Sequence, residues 1–312
     1  MRAFVLSGGA SLGAIQGGML QALFERGIAP DLIVGTSVGA INGAFITLRE
    51  PTFETALELG GIWRGLRRGT VFPTNALTGF VGFIGHSDHL IPEGNLRRLI
   101  ASHLQVERLE QMNVPLHVIV TDVLSGQELR LSTGPAIDTV LASAAIPGVF
   151  SPVEIYGRRL MDGGVANNTP ISHAVELGAD EIYVLPTGYA CALDAQPRGA
   201  LAMLLHAMTI LIQQRLHVEI GLYRDRARLV VLPPPCPQTV QPIDFSHAGE
   251  LIERTLTESR AYLDWLDRDD SLEATTAPAE RLVPHEHPES VEVSAAREQQ
   301  LTSADGGGGA GA

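Results

Sequence analysis

The stretch Leu32-Ile33-Val34-Gly35-Thr36-Ser37-Val38-Gly39-Ala40 constrains this chain more than any other, because it reads as strand, sharp turn and helix with a serine at the apex. The apolar run rich in branched residues is a buried strand, and Ala40, Ile41, Ala44, Phe45 and Leu48 then recur at helical spacing. Between them lies Gly-x-Ser-x-Gly. Gly35 and Gly39 let strand and helix approach closely, while the turn holds the Ser37 hydroxyl out at the sheet edge. The helix that follows aims its positive end at that oxygen. In a chain with 33 glycines such a motif also arises by chance, so its weight comes from its surroundings.

Those surroundings hold two further glycine motifs, each after a predicted strand. Residues 3–7 form the first strand and run into Gly8-Gly9-Ala10-Ser11-Leu12-Gly13, followed by a helix with Ile15, Met19, Leu20, Leu23 and Phe24 on its apolar side and Gly27 at its end. A glycine loop opening a helix gathers free backbone N–H groups around one point. A dinucleotide site would want an acid at the far end of the second strand, whereas Asp31 stands at its start. The third motif, Asp162-Gly163-Gly164, follows a hairpin turning at Tyr156-Gly157. Acyl transfer needs a nucleophile, a base and N–H donors for the negative charge that develops on the carbonyl oxygen. Ser37, Asp162 and the first glycine loop are the candidates.

The remaining pattern is that of an α/β protein. Residues 116–122 read as a central strand buried on both faces, and 181–185 and 228–232 as further strands. Helices are expected over 52–63, 96–104, 136–145, 171–177, 199–216 and 247–265. All 22 basic residues are arginine, which excludes a Walker phosphate loop, a Schiff-base lysine and a Ser-Lys dyad. A net charge of −13 argues against nucleic acid as a partner. The two cysteines, Cys191 and Cys236, lie far apart, which suits a reducing compartment and argues against a disulfide scaffold. No apolar run reaches ~18 residues, so no spanning helix is expected, and the apolar run at the N-terminus is too short for a signal peptide. We expect a cytoplasmic protein. We also expect no cofactor and no metal site.

Taken together, the three motifs and their order resemble the patatin-like phospholipase family over residues 1–265. Thr121-Asp122 with Ser125-Gly126, Ala142-Ser143-Ala144-Ala145-Ile146-Pro147 and Asn168-Thr169-Pro170 are similar as well. The resemblance implies a three-layer α/β/α fold with a mostly parallel sheet, a lipid ester as substrate and hydrolysis by a Ser37–Asp162 dyad. Gly8, Gly9 and Ala10 would supply the oxyanion N–H groups, with Gly13, Gly35, Gly39, Gly163 and Gly164 as the motif glycines. The family pattern usually has glycine where Ala10 stands and a basic residue where Leu12 stands; alanine fits if its φ is negative. An aspartate near its ordinary pKa of ~4 is a weak base, so burial must raise it.

Two other functions compete. A Ser-Asp-His triad of the α/β-hydrolase kind would take His173, His206, His217 or His247 as base, although none of them sits in a convincing motif. The same fold could alternatively serve as a non-catalytic lipid-binding module. Arg64, Arg67 and Arg68 with Trp63, Phe72, Phe80 and Phe83 suggest a mobile, lipid-facing rim from Trp63 to Ile84, making peripheral membrane contact. Residues 1–266 are expected to form the domain. Residues 267–312, with 10 acids, 3 arginines and glycines at the end, are expected to be a disordered tail.

Overall fold

The branched, apolar runs become the strands of one sheet. The computed structural model describes residues 1–72, 91–188, 200–236 and 240–268. Among them, β1 (Arg2–Leu6), β2 (Leu32–Thr36), β3 (Leu116–Asp122), β7 (Glu181–Leu185) and β8 (Arg228–Val231) run parallel in the order β3-β2-β1-β7-β8. The strands β4 (Glu128–Leu131), β5 (Val153–Ile155) and β6 (Arg158–Asp162) join antiparallel at the β3 end. Tyr156 and Gly157, both at positive φ, make the tight turn between β5 and β6. The described helices are α1 (Ala14–Glu25), α2 (Val38–Thr47), α3 (Phe53–Gly65), α4 (Arg68–Val71), α5 (Gly94–His103), α6 (Ala136–Ser143), α7 (Ile171–Glu176), α8 (Ala200–Tyr223) and α9 (Ala248–Arg268).

Strand side chains alternate between two apolar layers, which is the period-2 rule applied to a sheet covered on both faces. Phe4, Leu6 and Ile33 pack with α1, α2, α3, α5, α6 and α9, whereas Ala3, Val5, Leu32 and Val34 pack with α7 and α8. The result is the three-layer, mostly parallel α/β/α arrangement expected from the sequence. Close approach is built in where helices cross: a Cβ on Gly18 of α1 would lie 2.4 Å from the Ile252 carbonyl oxygen of α9.

One detail of register organises the site. Along β3, Ile119 stands opposite Thr36 of β2, and the next residue, Val120, stands opposite Asp162 of β6. Because β4 pairs with residues 118–121 of β3, overlapping both partners, β2 and β6 must share the other edge. They approach from opposite directions and meet end to end, so the last residues of two strands distant in sequence become neighbours.

Three expectations need correction. The described part of the presumed rim is packed: Trp63, Leu66, Val71 and Phe72 are buried, and the Trp63 indole N–H donates to Asn42 Oδ1 at 3.1 Å. Phe72 stacks on Phe150 at 5.5 Å, and Arg64 pairs with Glu253. Aromatics among arginines here face the core; residues 73–84 lie outside the described residues. Next, α8 continues past Leu216 to Tyr223. Arg215 pairs with Glu219 one turn on, and Glu219 accepts the backbone N–H of Ser172. Finally, Cys236 is disulfide-bonded rather than a thiol. The tail after Arg268 lies outside the described residues, and α9 itself runs two residues beyond the expected boundary at 266.

Candidate active site

At the end of β2 the backbone turns sharply. Ser37 has φ 54° and ψ −124°, a left-handed value that costs a non-glycine residue energy and is held by its surroundings. Gly39 is obligatory there, since a Cβ would lie 2.1 Å from the Leu6 carbonyl oxygen. The turn aims the Ser37 hydroxyl across the strand junction, where it donates to Asp162 Oδ2 at 2.7 Å. Both residues are buried, each 6% exposed.

Asp162 is held on every side. Its Oδ1 accepts the Gly164 N–H at 2.7 Å, its own N–H donates to the Ala145 carbonyl, and the Thr121 hydroxyl donates to its backbone oxygen. Gly163 leaves no room for a side chain, as a Cβ would sit 2.2 Å from the Ile119 oxygen. Burial pushes the Asp162 carboxyl up to about 6, against the opposing pull of the Ser37 and Gly164 hydrogen bonds.

The first glycine loop lies beside the serine, but its three expected donors are not equivalent. The Gly8 N–H is taken by the Asn168 carbonyl at 3.3 Å. The N–H groups of Gly9 and Ala10 have no acceptor among the described residues. Thr187, which the sequence did not single out, donates its hydroxyl to Gly8 O at 2.5 Å and its N–H to Ser7 Oγ, pinning the loop. Ala10 has φ +52°, so the condition of a negative φ for alanine here is not met. Leu12 is buried, and Gly13 lies against Val38 and Trp63.

Ser37 and Ala10 are among the residues that line an apolar cleft. Its walls include Ile41 and Phe45 of α2, Trp63 of α3, Phe72, Ile100 of α5 and Ala144 after α6. No polar partner for a long substrate is offered along most of this wall; it suits hydrocarbon. His103 also lines the cleft, held below its ordinary pKa by burial and by the Arg49 charge.

The histidines weighed for a triad lie elsewhere. His173 Nε2 is 2.5 Å from Glu128, and His247 sits between Asp244 and Glu250. Neither His217 nor any other described histidine has a hydrogen bond to Ser37 or Asp162; the His206 side chain lies outside the described set. Among the described residues no cluster of His, Cys, Asp and Glu could hold a metal ion, and no helix is long and apolar enough to cross a membrane.

Fold and site together define an α/β protein with a serine at a strand-turn-helix apex and a buried aspartate across the sheet edge. The family model described as patatin-like phospholipase matches residues 4–175. The chain belongs to that family. Among curated proteins it is 29% identical over 191 residues to a lysophospholipase of Aspergillus terreus, covering 59% of this chain and 12% of that protein. It is 31% identical over 201 residues to one of Cryptococcus neoformans, covering 62% of this chain and 11% of that protein. The chain thus spans about a tenth of the length of these fungal relatives. Among solved structures, VipD from Legionella pneumophila is a distant likeness, with a TM-score of 0.41 and 14% identity over 83% of this chain and 67% of that one.

Proposed function

We propose that this protein is a serine hydrolase of lipid carboxylic esters, working through a Ser37–Asp162 dyad. The observation that carries the reading is the 2.7 Å hydrogen bond to Asp162 Oδ2 from Oγ of Ser37, a residue that lines an apolar cleft. The acyl chain of the ester lies along the cleft and brings its carbonyl carbon to Ser37. Asp162 takes the hydroxyl proton as Ser37 Oγ bonds to that carbon. The oxygen that becomes negative is held by the N–H groups of Gly9 and Ala10, a donor set worth roughly 3 to 4 kcal/mol per lost bond in comparable sites. Collapse breaks the ester C–O bond, the leaving alkoxide takes the proton from Asp162, and the acyl group stays on Ser37. Water then gives its proton to Asp162 and attacks the acyl carbon, and the fatty acid leaves as Ser37 regains its proton.

The two fungal relatives are named lysophospholipases, so a lysophospholipid is the first substrate to test. Hydrolysis should proceed in the presence of chelator and fall by ~10³-fold or more in folded Ser37→Ala and Asp162→Asn. Undiminished turnover in folded Ser37→Ala would sink the assignment. The Ser-Asp-His reading loses its support from the positions of His173 and His247, and a purely binding module has no need of a buried aspartate whose ionisation is costly.

A further inference from the structure

We propose that Ser143 is a positioning residue that sets Ser37 for attack, an inference that rests on the dyad reading above. Where β2 ends, the parallel ladder to β3 would continue from Ser37, but Ser37 turns away at φ 54° and ψ −124°. That leaves its N–H and the Ile119 carbonyl apart, both in the interior. The Ser143 hydroxyl, from the last residue of α6, is inserted between them. It accepts the Ser37 N–H at 2.8 Å and donates to Ile119 O at 2.6 Å. A backbone N–H can only donate and a carbonyl can only accept, so the direction of this relay is fixed. Ser143 is 0% exposed, and no other hydrogen bond competes for the Ser37 N–H.

Two consequences follow for the chemistry. The nucleophile's own N–H is occupied and so does not serve the oxyanion. In addition, Ser143 and Ala145 hold the two halves of the dyad from one short segment: Ser143 Oγ takes the N–H of Ser37, and the Ala145 carbonyl takes the N–H of Asp162. The C-terminal end of α6 is therefore the ruler that spaces Ser37 from Asp162 across the junction of β2 and β6. A shift of the nucleophile by as little as ~1 Å can cost on the order of 10²-fold in rate.

The test compares wild type, Ser143→Ala, Ser143→Cys and Ser37→Ala on a soluble chromogenic ester, each below its own melting temperature. The expected result is a loss of roughly ten- to hundredfold in kcat for folded Ser143→Ala with KM within about twofold, and an intermediate kcat for Ser143→Cys, whose thiol is a weaker relay. Labelling of Ser37 by a fluorophosphonate should slow in parallel. A role confined to stability would lower the melting temperature and leave kcat alone. Wild-type kcat in either folded Ser143 variant, with Ser37→Ala inactive, overturns the positioning role alone. Turnover surviving in Ser37→Ala overturns the dyad reading and this inference with it. Amide exchange at Ser37, read by NMR in the unmodified protein, needs no variant to fold: slow exchange is expected, and exchange at the rate of an open amide contradicts the relay.

Discussion

Asp162 is where residue-scale electrostatics become observable. Its carboxyl must be ionised to accept the serine proton, and burial moves that ionisation from 3.8 to about 6. The account predicts that kcat/KM of the unmodified protein falls about tenfold per pH unit below about 6 and is level above it, until another group titrates. A limb displaced to about pH 4 would mean that Asp162 is not the titrating base. The same shift has a stability consequence of definite sign. The folded state holds this proton more tightly than the unfolded chain, so the stabilisation it brings is present at low pH and is lost as pH rises through about 6. Relative to wild type, Asp162→Asn should therefore gain stability between pH 4 and 6 and keep a constant offset above that, which thermal melts across the range would reveal.

Much of this was legible in residues alone. The three glycine motifs could be read because each glycine is forced by a close approach: Gly39 by Leu6, Gly163 by Ile119, Gly8 by the Ser37 and Asn168 side chains. Such constraints leave a mark in the sequence. Ser143 and Thr187 could not be assigned roles in the same way, because a buried hydroxyl in an alanine run or after a strand is common, and its partners come from elements far along the chain. Ala10 shows the limit from the other side: alanine is compatible with several conformations, and only the loop geometry reveals its positive φ.

At the scale of elements, the site depends on β2 and β6 meeting on one edge of β3. Strand existence was readable from the apolar runs, but this junction was not, since it depends on an antiparallel return whose register is set by the turn at Tyr156 and Gly157 and by α6 packing beneath it. The placing of Trp63 and Phe72 at an exposed rim fails for a related reason. Trp63 and Phe72 stand among arginines, and composition does not tell an aromatic that inserts into lipid from one that lines a cleft; burial and the Asn42 hydrogen bond decide it. A prediction belongs here as well. Ala144 lines the cleft directly after α6, so Ala144→Phe should fill space meant for the acyl chain. KM should rise for esters of long acids and stay near wild type for acetate or butyrate esters. An equal change on both series would show that the chain does not lie along this wall.

For the molecule as a whole, α9 is the strap that closes the layer over α1. Its contacts include Ile252 and Thr255 against Gly18, and ion pairs of Arg260 with Glu25 and of Arg26 with Asp264 and Asp267. We propose that the folded domain includes this helix. Truncation after Arg268 should leave the melting temperature and kcat/KM unchanged, whereas truncation before α9 should expose the α1 face and abolish folding; a folded, active product of the second cut would contradict the strap role.

The central claim, that Ser37 is made nucleophilic by Asp162 in a patatin-like site, is tested most directly by covalent trapping. A fluorophosphonate is added in chelator to wild type and to folded Asp162→Asn, and the adduct is located and its rate of formation followed by mass spectrometry. The account predicts one adduct, on Ser37, forming at least ~10²-fold more slowly in Asp162→Asn. An adduct on another residue, or an undiminished rate in the folded variant, would contradict it.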